Sequence, residues 1–249
     1  MKRFLSTSFL ALGLAASPAL AFDIDSMSKD ERAAFRAEIR AYLLDNPEVI
    51  MEAVELLEKR NAAAEAAHDL ALVQVNADAI FNDGFSWVGG NPEGDVTLVE
   101  FIDYRCGYCR KAFDEVEQLI ETDGNIRMIV KEFPILGEAS VLSSRYAIAV
   151  KNTLGDDEYK LAHNALITFK GDINAGSLTR ISESLGFEAA PLLAAMDSAE
   201  VTEEIRQTRA LAQKLQISGT PTFVLQDQLL RGYLPLDNML ALVDEKRAK

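Results

Sequence analysis

The residues Val96-Thr97-Leu98-Val99-Glu100-Phe101-Ile102 are mostly β-branched or aromatic and carry no helical period, which predicts a strand buried on both faces. Just downstream, Phe113, Val116 and Ile120 recur at helical spacing across 111–120, so the strand runs into a helix. Ile126 to Phe133 reads as a second buried strand, stopped by Pro134. From Glu138 to Leu215 the pattern is helical and almost free of strands, punctuated by Gly155, Gly171, Gly176, Gly186 and Pro191. Strands return at Thr222–Leu225 and Gln228–Tyr233, joined by a tight polar turn, before a last helix from about Pro235. Ahead of the first buried strand, Phe85 to Val88 predicts a short strand and Gly89 to Asp95 a dense turn cluster. A β-α-β unit, a helical block and a closing hairpin with its helix predict an α/β domain with a helical insertion.

The N-terminal third has a different pattern. Ser28 with Glu31 is a capping-box signature, followed by Phe35, Ile39, Tyr42 and Leu43 at helical spacing, and Asn46-Pro47 marks a fresh helix start. From there a 4,3 spacing runs through Ile50, Val54, Leu57, Asn61, Ala64, His68, Ala71 and Val75, polar only at Asn61 and His68. Such a seam fits self-association, with the polar positions fixing register. It equally fits an amphipathic helix packed on its own domain.

The basic start Met1-Lys2-Arg3, the apolar stretch from Phe4 to Ala16 and the small-x-small ending Ala19-Leu20-Ala21 match a secretory signal cleaved after Ala21. The apolar stretch is too short to span a bilayer, and no cysteine follows it to carry a lipid anchor. The expectation is an exported protein without a membrane anchor. The net charge is −14, made two units more negative by loss of Lys2 and Arg3, which argues against nucleic-acid binding. With 49% hydrophobic residues the chain has ample core for one large domain plus an appendage.

The two cysteines of the chain, Cys106 and Cys109, stand in Cys106-Gly107-Tyr108-Cys109 at the strand-to-helix junction. On the first turn of a helix the pair shares one face, and the free amides and positive dipole end stabilise a thiolate at the first position. Cys106 is therefore the candidate nucleophile and Cys109 the resolving thiol, able to close a redox-active disulfide. The same spacing is half a zinc knuckle, but four ligands are needed and only His68 and His163 remain, neither suitably spaced. No metal and no cofactor are expected. His163 reads as a surface residue of the helical block, and Tyr108 as a tuner of the thiolate or a surface cap. Glu100 lies in an apolar strand six residues before Cys106, where burial raises its proton affinity and lets it exchange a proton with Cys109; a partly exposed or salt-bridged strand residue is the plainer alternative.

Val99-Glu100-Phe101 with Cys106-Gly107-Tyr108-Cys109, then Ser218-Gly219-Thr220-Pro221-Thr222 before a strand, resembles the thioredoxin fold of the DsbA superfamily from about Phe85 onward. The helical segment ahead of it resembles the suppressor-of-copper-sensitivity C (ScsC) branch and its Com1-like relatives. The organisation implied is a signal peptide over 1–21, a helical oligomerisation segment over 22–78, and a DsbA-like domain over 79–249 with its insertion at about 138–215. The resemblance implies that Pro221 is a cis-proline facing the disulfide and that Thr220 offers backbone groups to an extended substrate. The plainer reading of Pro221 is a loop proline ahead of a strand. Gly107-Tyr108 and the Thr before the proline are similar to the periplasmic isomerase DsbC rather than to the oxidase DsbA.

The expected activity is thus disulfide isomerase or reductase on exported, disulfide-containing proteins in the periplasm. A membrane reductase partner of the DsbD or ScsB kind would keep it reduced, and a homo-oligomer, a trimer by resemblance, would carry it. A DsbA-like dithiol oxidase served by a DsbB-like partner is the alternative. Two others are a protein handling Cu(I) through its soft thiolates and an interaction scaffold.

Overall fold

The computed structural model describes residues 26–248, so the expected signal peptide at 1–21 lies outside the described residues. Backbone contacts divide the chain into two units at the Arg60–Asn61 step.

The first unit opens with α1 (Lys29–Asp45). Ser28 caps it by accepting from the Glu31 amide, and the Glu31 carboxylate accepts in turn from the Ser28 amide. This capping box satisfies amides that a helix start leaves unpaired. Asn46 ends the helix by donating both its backbone and side-chain N–H to the Tyr42 carbonyl, and α2 (Glu48–Val75) follows. Within this unit Phe35, Ile39, Tyr42, Ile50, Val54 and Leu57 are all exposed.

The second unit holds the rest of α2 and α3 (Ala77–Phe81), then a five-stranded sheet. Its strands are β1 (Trp87–Gly90), β2 (Val96–Ile102), β3 (Ile126–Glu132), β4 (Thr222–Leu225) and β5 (Gln228–Arg231), in the order β1-β3-β2-β4-β5. β2 and β3 are parallel, while the β1–β3, β2–β4 and β4–β5 pairs are antiparallel. Between β2 and β3 runs α4 (Gly107–Asp123), closed by Gly124 in the left-handed conformation, φ 69°. The segment between β3 and β4 folds into α5 (Glu138–Leu154), α6 (Asp156–Thr168), α7 (Ala175–Ser184), α8 (Ala189–Ala195) and α9 (Ala199–Lys214), and α10 (Leu236–Arg247) ends the chain. This is a thioredoxin-like sheet with helices inserted before its closing hairpin.

Both sheet faces are covered. Val96, Leu98, Ile102, Met128 and Val130 pack into a core with α4, α5, α6 and α10, whereas Val99, Phe101 and Ile129 face a second core with Val73, Ile80, Leu211 and Leu215. That explains why β2 and β3 read as unbroken apolar runs rather than as alternating ones.

Three strands depart from the sequence reading in their limits, β3 by closing at Glu132 rather than Phe133. The first strand is Trp87–Gly90, not Phe85–Val88, because the amides of Phe85 and Ser86 both donate to Asp83 Oδ1 and are thereby withheld from the sheet. Gly89 and Gly90 instead pair with Met128 and Arg127. Gly89 lies beneath the Trp87 indole, where a Cβ would collide with the ring. The last strand stops at Arg231 rather than Tyr233, since Gly232 turns at φ 91° and donates its N–H to the Pro221 carbonyl.

Candidate functional site

Cys106 is the N-cap of α4, with extended backbone, and Cys109 sits on the helix's first turn. The two are free thiols, 7% and 1% exposed. The loop delivering Cys106 is fixed by Asp103, which is fully buried. Its Oδ1 accepts from the Arg105 amide, its Oδ2 accepts from the amides of Ile135 and Leu136, and its carbonyl accepts from the Cys106 amide. Asp103 thus ties the redox loop to the loop after β3, a role the sequence reading missed.

On the other side, the Thr220–Pro221 peptide bond is cis, and the Cys106 thiol donates to the Thr220 carbonyl at 3.0 Å. Residues 114 positions apart in sequence therefore meet at one sulfur. Gly107 and Tyr108 are exposed, Tyr108 by 64%. With Ile135 and Leu136, which are also exposed, Tyr108 gives the molecule apolar surface on the segments that carry and brace the redox loop.

The two thiols hold protons very differently. Cys106 is brought down to about 5, first because the Cys109 thiol donates to it, then through the Thr220 side chain and the amides of Cys109 and Tyr108, with burial opposing. These amides are those a helix start leaves free, and they face the sulfur as charge develops. Cys109 is driven far up, by burial first, then by its bond to Cys106 and by the charge of Glu100.

Glu100 is buried on β2, opposite Val130 on one side and Phe223 on the other. Its carboxyl is pushed up to about 8 by burial, then by Glu117, with Lys160 opposing and the charges of Cys106 and Glu132 adding to the rise. The plainer reading of Glu100 as an exposed strand residue does not hold. Lys160 on α6 pairs with Glu117 on α4 at 2.5 Å.

His163 corrects the sequence reading: it is 4% exposed, not a surface residue. It belongs to the buried stripe Tyr159, Ala162, His163, Leu166 and Ile167 of α6, a helical spacing that the sequence did carry. Its Nδ1 lies 3.1 Å from the Tyr104 hydroxyl, and its ring packs against Tyr104, Phe113 and Tyr159. Burial, with Lys160 adding, holds it neutral, down to about 3. The other histidine, His68, is exposed on α2.

Residues 97–244 match the profile of the DSBA-like thioredoxin domain. The chain belongs to the DsbA-like thioredoxin family. Residues 31–64 match the N-terminal domain of the copper resistance protein ScsC. A thioredoxin-like oxidoreductase from Silicibacter pomeroyi DSS-3 is 42% identical, over 69% of this chain and 98% of that one, with a TM-score of 0.65. The thiol-disulfide exchange protein alpha-DsbA2 from Wolbachia pipientis is 29% identical, over 74% of this chain and 98% of that one, with a TM-score of 0.69. Among curated proteins, the Na(+)/H(+) antiporter NhaA 3 of Salinispora tropica is 24% identical over 63% of this chain. The match spans only 24% of that antiporter's length. In this chain the candidate site is built by β2, the start of α4 and the loop before β4.

Proposed function

We propose that this protein catalyses thiol–disulfide exchange on exported polypeptides in the periplasm, acting as an isomerase or reductase. The carrying observation is the placing of Cys106 at the N-cap of α4 against the cis Thr220–Pro221 loop, with Cys109 buried on the first turn behind it, which lowers the first thiol and raises the second. At neutral pH the Cys106 thiolate attacks one sulfur of a substrate disulfide; that S–S bond breaks, a Cys106–substrate disulfide forms, and the other substrate sulfur leaves as thiolate. The substrate thiolate then attacks elsewhere and reshuffles, or Cys109 displaces the substrate and closes the Cys106–Cys109 disulfide. Glu100 takes the Cys109 proton in that second step. The Thr220–Pro221 loop beside Cys106 offers its backbone to an extended substrate strand. A stabilised Cys106 thiolate favours the dithiol state, which keeps the nucleophile ready for isomerisation and equally makes the Cys106–Cys109 disulfide a ready oxidant.

The first unit supports an oligomer. Its apolar positions Phe35, Ile39, Tyr42, Ile50, Val54 and Leu57 are exposed in the single chain, more apolar surface than an isolated helical segment keeps in water. Association of several copies, three in our reading, through this segment covers it and sets several Cys106 thiolates around one client. A DsbD- or ScsB-type membrane reductase would return the protein to its dithiol form.

The ScsC match raises a copper reading, which the site disfavours. Two-thiolate Cu(I) binding has to expel the Cys109 proton, and burial beside Glu100 holds that proton tightly. Copper(I) titration beside insulin reduction and refolding of scrambled ribonuclease tests the assignment. Thiol turnover with weak copper binding at neutral pH is expected; tight copper binding without turnover overturns it.

A further inference from the structure

A second carboxylate lies close to Glu100. In the parallel register of β2 and β3, Glu100 pairs with Val130 and Ile102 with Glu132. Glu132 therefore projects from the same sheet face one same-face step beyond Val130, which sets the two side chains about 7 Å apart. Glu132 is buried, and its Oε1 accepts from the Tyr104 hydroxyl at 2.7 Å and the Tyr159 hydroxyl at 2.6 Å. Its Oε2 is buried and has no hydrogen-bond partner among the described residues. Beside the carboxylate is a void of about 10 Å³, lined also by Lys151, Tyr159 and Glu204. The groups facing Glu132 are thus Tyr104, with His163 behind it, Tyr159 from α6, Ser144 and Lys151 from α5, Glu204 from α9 paired with Lys151, and Glu100 from β2.

We propose that Glu132 is a positioning residue for the exchange reaction: it shares the proton balance of Glu100 and so sets the pH at which Cys109 releases a bound substrate. The inference rests on the reading that Glu100 takes the Cys109 proton. In the release step the Cys109 proton passes to the Glu100 carboxylate. The Cys109 sulfur attacks Cys106 Sγ, the Cys106–Cys109 bond forms, and the substrate sulfur leaves with the electron pair of the broken bond. Only an ionised Glu100 can begin that step.

Two carboxylates sharing one dry site resist being ionised together. Two phenol donors favour the charge on Glu132, whose carboxyl is raised by burial only to about 7, against about 8 for Glu100. The first charge goes to Glu132, and Glu100 then keeps its proton to higher pH. Through Tyr104, two residues before Cys106, Glu132 also anchors the base of the redox loop.

Glu132→Gln keeps an acceptor for the tyrosines and removes the charge. The test loads Cys106 of the reduced full chain with thionitrobenzoate and follows its release by Cys109 from pH 5 to 9. With charges about 7 Å apart in an effective dielectric of about 20, the release midpoint should move down by about 1.7 pH units in Glu132→Gln. Release at pH 6.5 should then be tenfold or more faster than in the unsubstituted chain. A profile superimposed on the unsubstituted one, or moved to higher pH, overturns the inference. Glu100→Gln separates the two readings: loss of the rising limb supports Glu100 as the proton acceptor, and an unchanged profile defeats that role instead. Should Glu132→Gln fail to fold, carboxyl carbon NMR titration of the reduced chain replaces it. The Glu132 carbon should titrate first and show a second inflection at the higher Glu100 midpoint that is lost in Glu100→Gln, and independent titrations overturn the proposal.

Discussion

Cys106 and Cys109 share one helical turn, yet the first faces free amides and the Thr220 side chain while the second is sealed in the core beside Glu100. Alkylation of the reduced chain, read by mass spectrometry across pH, should therefore label Cys106 with a midpoint near 5 and leave Cys109 unlabelled up to pH 9. Thr220→Val removes one of the groups that hold the thiolate and should raise that midpoint. Preferential labelling of Cys109 near neutrality would reverse the assigned roles. The placing of the two cysteines at a strand-to-helix junction was legible from spacing and local pattern alone. Burial at His163 was legible too, through the 159, 162, 163, 166, 167 spacing, but a lone histidine in a helical block reads first as a polar surface position. His163 is held neutral, below its ordinary value of 6.5. Its folded form binds fewer protons than its unfolded form between about 3 and 6.5, so stability falls as pH drops through that window. His163→Gln should flatten this acid-side loss in denaturant titrations, and an unchanged slope would contradict it.

At the scale of elements, the sheet and the helix carrying the thiols follow from local pattern, whereas the start of the domain depends on a long-range pair. Lys131 on β3 is fully buried and meets Asp83 at 2.5 Å, while also donating to the Ala79 carbonyl at 3.0 Å. The same Asp83 holds the amides of Phe85 and Ser86 and so displaces the first strand. That turn is local, but Lys131, which holds Asp83 in place, lies on another strand and is not signalled in the 85–90 sequence. Asp83→Ala strands a buried ammonium and should destabilise the fold by about 3 kcal/mol. Adding Lys131→Met should recover much of the loss in urea unfolding, since an apolar pair carries no unpaired charge. Additive losses would show that the pair does not act as a unit. Asp103 was unreadable for the same reason: its partners Ile135 and Leu136 lie beyond a strand and a helix.

At the scale of the whole molecule, the seam from Ile50 to Val75 is exposed in the single chain at Ile50, Val54, Leu57, Asn61, Ala64, His68, Ala71 and Val75. The spacing was legible in sequence; which surface it meets was not, because Ala-rich helices satisfy many partners equally. Light scattering should find a chain beginning at Phe22 as an oligomer and one beginning near Asn61 as a monomer; a monomeric longer chain at micromolar concentration would contradict the proposed assembly. The shortened form should keep its dithiol chemistry, lose isomerisation and gain simple oxidation, because one thiolate no longer works beside others. The measurement that bears most directly on the account is recovery of ribonuclease activity from scrambled ribonuclease by the reduced chain beginning at Phe22, alongside Cys106→Ser and Cys109→Ser. The account predicts recovery with the unsubstituted chain, none with Cys106→Ser, and accumulated mixed disulfides with Cys109→Ser; recovery undiminished in Cys106→Ser would contradict it.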